Sequence, residues 1–191
     1  MLWDRAEMTV CVVTADSQFA GRGTWGRSWW SQPGNLLLSV TVEKARLAKQ
    51  ISVDQLPLQA AKVVVEWLNS QGAQTSIRGI NDVILQDGPS RQSLALNTAA
   101  PRAGSGKVCG LLVETWEGRR GPAITLGMGL NCKSAPCWSE VQQASTSLYD
   151  HGIDSDAPQV AAALLPLLLA LFGLKVSVPI RPQLVEIEGL V

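Results

Sequence analysis

The sequence predicts an α+β fold with a mixed, mostly antiparallel sheet flanked by helices. Three observations carry this. Apolar patterning gives strands, a helix, more strands and then two helices, an order that suits an α+β layout. The chain has 191 residues, of which 46% are hydrophobic, enough for one domain with a sizeable core. No internal repeat divides it.

The elements follow in order. "MTVCVVTA" (8–15) reads as a buried strand, and "NLLLSVTV" (35–42) reads as a second one after the glycine-rich stretch "GRGTWGRSWWSQPGN" (21–35). "LPLQAAKVVVEWLNSQG" (56–72) is a helix: Pro57 suits its first turn, apolar residues recur at helical spacing, and Gly72 suits its end. "QTSIRGINDVILQ" (74–86) is β-rich with a turn near Gly79. "DGPSRQSLALNTAAPRAGSG" (87–106) is rich in Gly, Pro, Ser and Ala and reads as a long mobile loop. "KVCGLLVETW" (107–116) and "AITLGMGLN" (123–131) are strands joined by the polar turn "EGRRGP". A helix is expected over about 139–150. The apolar "VAAALLPLLLALFGL" (160–174) is the last helix, with Asp154, Ser155 or Asp156 as caps and Pro158 early. It falls short of the roughly 18–20 residues that span a bilayer, Pro166 interrupts it and Lys175 follows, so a core helix is the better reading.

Composition removes several functions. Sixteen basic and sixteen acidic residues give no net charge, hence no overall field for holding DNA or RNA. Arg22, Arg27, Arg119 and Arg120 are the candidates for a local basic patch. Cys11 and Cys109 sit in apolar runs, where a free thiol behaves as a small hydrophobe. Cys132 and Cys137 are too loosely spaced for a zinc knuckle, and the only His is His151. Cysteine usage and the lack of a signal-peptide pattern fit a reduced, cytoplasmic setting.

Four stretches carry chemistry. In "QFAGRGTWGRSWW", Gly21, Gly23 and Gly26 free the backbone to pass close to a ligand, while Arg22 and Arg27 supply charge for phosphate or carboxylate. Neither arginine has an acidic neighbour in sequence. The G-x-G-x-x-G spacing does not make a Rossmann fingerprint, because the loop runs into Ser-Trp-Trp-Ser-Gln-Pro-Gly and a strand instead of opening a helix. "PRAGSGKV" is not a P-loop: it lacks the first glycine, and Val follows the Lys. A structural hairpin and an anion-binding loop both remain open for residues 21–35. In "RGIND" (78–82), Asn81 and Asp82 form an ordinary turn or place a carboxylate for Mg²⁺ beside a nucleotide. In "KVCGLLVE" (107–114), Lys107 is an edge residue or a ligand for negative charge. In "GMGLN" (127–131), small residues let something approach the backbone.

The combination is more specific than its parts. Gln18 and the Gly21-Arg22-Gly23 loop, then Gly26-Arg27 with Trp29 and Ser31, then Asn81-Asp82, Lys107 to Glu114, and Gly127 to Asn131, in that order, resemble the catalytic domain of biotin protein ligases over about residues 10–172. "SLYDHGIDSDAPQVAAALLPLLLALF" resembles that family's two closing helices. Lipoate ligases share the fold, but their Arg-Arg-x-x-Gly-Gly-Gly signature is absent. The resemblance implies a class II aminoacyl-tRNA synthetase-like fold, with residues 1–175 as the catalytic domain. Residues 176–191 would be a short tail in place of the usual small β-barrel. It implies a ligase that joins biotin to ATP, with Mg²⁺, forms biotinyl-5'-AMP, and passes biotin to one lysine of a carboxylase's biotin carboxyl carrier domain. Lys107 and Arg22 would be catalytic. Biotin would meet Gln18, Gly21, Arg22, Gly23, Thr24, Lys107, Gly110 and Gly129, with Trp29 on the lid or the biotin wall. ATP would meet Arg22, Arg27, Asn81, Asp82 and Asn131, with Asp82 facing Mg²⁺. No helix-turn-helix is legible, which argues against operator DNA as a partner; a homodimer stays open.

Four departures set this chain apart. The family's Lys-Trp-Pro-Asn-Asp stands here as Arg78-Gly79-Ile80-Asn81-Asp82. Thr24 stands where the family has an Arg. The family's Asp-Ser-Thr-Asn segment is expected before residue 8 and is not seen there, and the C-terminal barrel is reduced. These departures leave room for lowered activity, or for a non-catalytic or altered-specificity relative that binds an acyl-adenylate or a carrier domain.

Overall fold

The computed structural model describes residues 10–86, 104–118 and 121–175. The expectations for 1–9, for the loop at 87–103, for Arg119 and Arg120 and for the tail at 176–191 lie outside the described residues.

Six strands form one antiparallel sheet in the order β1-β2-β6-β5-β4-β3. They are β1 (Val10–Ala15), β2 (Leu36–Glu43), β3 (Gln74–Arg78), β4 (Asp82–Gln86), β5 (Gly106–Gly118) and β6 (Gly121–Leu130). The helices are α1 (Leu56–Ser70), the single turn α2 (Trp138–Val141) and α3 (Ala157–Ala170). β2, β5 and β6 are central and the most apolar. Their Leu36, Leu38, Val40, Val42, Cys109, Leu111, Ile124, Leu126, Met128 and Leu130 are buried in one core together with residues of α1 and α3. Alternation along a strand leaves the other sheet face to the site.

α1 follows its pattern. Leu56, Ala60, Val64 and Leu68 are wholly buried at i, i+4 spacing, Pro57 lies in the first turn, and Gly72 adopts φ 80° just past the end. In α3, Asp156 rather than Asp154 or Ser155 is the cap. Its carboxylate accepts from Gln159 N, and Gln159 Oε1 accepts from Asp156 N, a reciprocal capping box. Among the described residues no helix is long and apolar enough to cross a membrane.

Two expectations need correction. The strand over 8–15 is not buried: β1 is an edge strand, and Val12 is 39% exposed. Cys11 is accordingly only half-buried. The helix expected over 139–150 stops at Val141. Gln142 takes φ 49°, and residues 144–149 give their backbone groups to Lys107 of β5 and to Asn131 and Cys132 just past β6. Lys107 N donates to Ala144 O, Thr146 N to Lys107 O, Leu148 N to Asn131 O and Tyr149 N to Cys132 O. Ser147 binds the Asp150 carboxylate through both its N–H and its hydroxyl, a local bond that competes with helix.

Candidate active site

A cleft of about 800 Å³ lies on the open sheet face, within the size range of small-molecule sites. Its floor comes from β5 and β6. Gly110 and Gly129 are cross-strand partners, so the floor has no side chains at that point. The Trp29 indole packs into the gap. A methyl group on Gly110 would lie 2.6 Å from Trp29 Cζ3, and one on Gly129 would overlap the indole outright.

Lys107 reaches the same floor through a β-bulge. β5 pairs Cys109 with Val83 but Lys107 with Ile84, so the residue between them is extra. The bulge re-aims Lys107 onto the face of Gly110, and a Gly110 methyl would meet Lys107 Cε at 3.0 Å. Lys107 Nζ stands 5.3 Å from the centre of the Trp29 ring, in cation–π range. It also lies 2.7 Å from Asp82 Oδ1, and both side chains are 11% exposed. The contact is ionic and lacks hydrogen-bond geometry at Oδ1. Arg78 Nη2 donates to Asp82 Oδ2 at 3.0 Å and to Gln143 Oε1 at 3.1 Å. Two cations on one carboxylate leave this cluster one net positive charge.

The glycine-rich stretch walls one side of the cleft as a tight loop. Trp29 N donates to Gly21 O, Gly23 N donates to Arg27 O, and Arg22 bridges to Ser28. Gly26 (φ 71°) and, unusually for a non-glycine, Trp25 (φ 60°) take left-handed backbone at its tip. Trp25 is 94% exposed. Arg27 binds its own loop through Thr24 O and Thr24 Oγ1. Arg22 does find an acidic partner, distant in sequence: its Nη2 lies 3.1 Å from Glu114. Trp30 Nε1 donates to Glu140 Oε1, and Glu140 also accepts from Cys137 N; these hydrogen bonds, the Cys137 one foremost, hold its carboxyl below the usual range.

The structure brings Gln18, Arg22, Gly23, Thr24, Arg27, Asn81, Lys107, Gly110, Gly129 and Asn131 to one cleft. Gly21 lines the adjoining hollow, and Asp82 lies behind Lys107. Asn81 donates to Leu111 O and its own carbonyl accepts from Leu111 N, pinning the β3–β4 turn to β5. Asn131, 3% exposed, donates to Thr146 O at 3.1 Å and so holds the 142–148 segment against the strand ends. Both carboxylate oxygens of Asp82 face cations. Among the described residues no three His, Cys, Asp or Glu side chains stand together as a metal cradle. The four cysteines are free; burial pushes the Cys132 thiol up to about 11 and the Cys109 thiol higher still.

Sequence reasoning did not assign Glu114 or Gln143. Glu114 could have been found, because Gly110, Leu112 and Glu114 alternate onto the cleft face of β5. Gln143 gave no signal, since it lies in the stretch expected to be helix.

The site has relatives. The model of the Biotin/lipoate A/B protein ligase family matches residues 5–131. The biotin--[acetyl-CoA-carboxylase] ligase of Mycobacterium tuberculosis is 30% identical over 166 residues, which are 84% of this chain and 53% of that protein. This chain thus spans about half the length of that curated relative. The biotin protein ligase from Aquifex aeolicus in complex with biotin and ATP matches with a TM-score of 0.63 at 26% identity, over 85% of this chain and 60% of that one. The Leishmania major biotin protein ligase in complex with biotinyl-5-AMP matches with a TM-score of 0.66 at 22% identity, over 90% of this chain and 68% of that one, a likeness of fold.

Proposed function

Because the chain belongs to the biotin/lipoate A/B protein ligase family, we propose that it is a biotin protein ligase acting in the cytoplasm. It activates biotin with ATP to biotinyl-5'-AMP and transfers the biotinyl group to a lysine of a carboxylase carrier domain. The observation that carries this reading is Lys107, a nearly buried ammonium at the edge of a glycine-floored slot, facing a loop that carries Arg22 and Arg27.

Each half-reaction suits these groups. In the first, a biotin carboxylate oxygen attacks the α-phosphorus; the bond to the β-phosphate oxygen breaks and pyrophosphate leaves. Two anions must approach each other, and charge grows on the leaving oxygens. Lys107 and Arg22 offset the repulsion and stabilise that charge. Arg22 does so by exchanging Glu114 for phosphate. In the second, the carrier lysine's amine attacks the acyl carbon, loses a proton, and the acyl–oxygen bond breaks to release AMP. With the Trp29 indole moved aside, the Gly110–Gly129 floor would admit a flat ring system, with Gln18 at the rim on its ureido edge and Asn81 and Asn131 toward the nucleotide. Closure of the 21–29 loop keeps water from the mixed anhydride. Mg²⁺ would arrive with the ATP phosphates. The residues present do not form a cradle for it, because Asp82 is already paired on both oxygens.

A second reading, an adenylate- or carrier-binding relative with altered specificity, is favoured by one observation: the Trp29 indole lies on the floor that biotin would use. Titration calorimetry with biotin, lipoate and ATP separates the two. The ligase reading expects heat with biotin and with ATP, and none with lipoate. Heat with lipoate alone would favour altered specificity. Absence of heat with all three would remove the small-molecule site.

A further inference from the structure

We infer that Arg78 and Gln143 are positioning residues that clamp Lys107 at the cleft, an inference that rests on the ligase reading for its kinetic consequences. Lys107 is held on three sides. Its ammonium faces Asp82 Oδ1 at 2.7 Å. Its backbone is bracketed by the 142–146 segment, with Lys107 N donating to Ala144 O and Thr146 N donating to Lys107 O. That segment is pressed close: a methyl group on Gly106 would lie 2.7 Å from the Ser145 carbonyl carbon. Arg78 joins the two supports, since its Nη2 donates both to Asp82 Oδ2 and to Gln143 Oε1.

The link has an electrostatic consequence. With Arg78 on Oδ2, the carboxylate offers Lys107 one oxygen and carries a second neutralising cation. Lys107 is then not fully neutralised by Asp82, and the cluster keeps its net positive charge for a substrate anion. With Arg78 gone, Asp82 is free to rotate and to pair wholly with Lys107, drawing the ammonium back from the cleft. Gln143 fixes the guanidinium, and through it ties the 142–146 segment to the turn between β3 and β4. Arg78 is itself half exposed, 51% by side chain, so its loss does not open the core.

Arg78→Ala, Arg78→Lys and Gln143→Ala in the full chain test the clamp by two readouts. The first is independent of activity: the side-chain ¹H–¹⁵N signal of the Lys107 ammonium at low temperature, assigned by its loss in Lys107→Met. The clamp expects a resolved signal in the wild type that shifts or broadens in Arg78→Ala and Gln143→Ala and returns toward the wild type in Arg78→Lys. The second is kinetic. Arg78→Ala is expected to lower kcat for biotin-dependent pyrophosphate release about tenfold, as a misplaced reacting group does, with the KM for biotin little changed. Gln143→Ala is expected to have a smaller effect in the same direction, and Arg78→Lys to recover most of the loss. An unchanged Lys107 signal in both alanine variants would overturn the clamp, as would its absence from the wild type. If the wild type releases no pyrophosphate, the ligase reading fails while the ammonium signal still decides the clamp.

Discussion

Lys107 shows how a single residue is tuned by its neighbours. Its charge is nearly buried, which is tolerable only because Asp82 faces it. Lys107→Ala leaves Asp82 with Arg78 as its remaining cation. The variant is therefore expected to fold with a loss of up to about 3 kcal/mol, because a nearly buried carboxylate loses one of its two cations. Urea denaturation checks this. A wild-type midpoint would show that the pair contributes nothing. Gly129 is a second sensitive position. Gly129→Ala would drive a methyl into the Trp29 indole. Overpacking of this kind costs about 1–3 kcal/mol, expected here as a lowered urea midpoint. An unchanged midpoint would mean that the indole does not rest on this floor in solution. The cysteines offer a check on burial. Iodoacetamide at neutral pH should label the exposed Cys137 and spare Cys109 and Cys132, whose buried thiols resist ionisation. Labelling of Cys109 in the folded protein would contradict the core assignment. At this scale the sequence was informative for Lys107, because a lysine leading an apolar strand needs a reason. It was silent on Glu114 as the partner of Arg22: the two are 92 residues apart and meet only once β5 is folded beside the loop.

At the scale of elements, local chemistry was legible where it was self-contained. α1 could be bounded by Pro57 and Gly72, and α3 by its acidic cap, because those signals act within one turn. Asp156→Ala removes one half of the capping box and should cost about 1 kcal/mol, read as a lowered thermal midpoint. No change would mean that the box is not formed in solution. The expected helix over 139–150 failed for a tertiary reason. Gln142, Ala144 and Thr146 lie in a stretch whose Ser and Thr residues are weak helix formers, and the bare end of β5 supplies backbone partners instead. The loop at 21–29 left two readings open in sequence, and its geometry bears on both. It is internally hydrogen-bonded like a hairpin, yet its Arg22 is held by an exposed pair that a phosphate can displace. Amide exchange over residues 20–30 is expected to slow when biotin and ATP are present. Equal exchange in both samples, with binding established separately, would leave the loop a structural hairpin.

For the whole molecule, the order of elements pointed to the fold class, and residues of the ordered motifs meet at one cleft. Strand order was not legible, because nothing local places β6 between β2 and β5. That placement is what sets Gly129 beside Gly110 and carries Lys107, Arg22 and Asn131 to one cleft. In the proposed function these groups together activate biotin with ATP. Biotin-dependent exchange of labelled pyrophosphate into ATP tests it most directly, in the wild type and in Lys107→Ala. Exchange should require biotin, not be replaced by lipoate, and fall about a hundredfold or more in Lys107→Ala. Exchange that is absent or indifferent to biotin, or a Lys107→Ala variant as active as the wild type, would contradict the account.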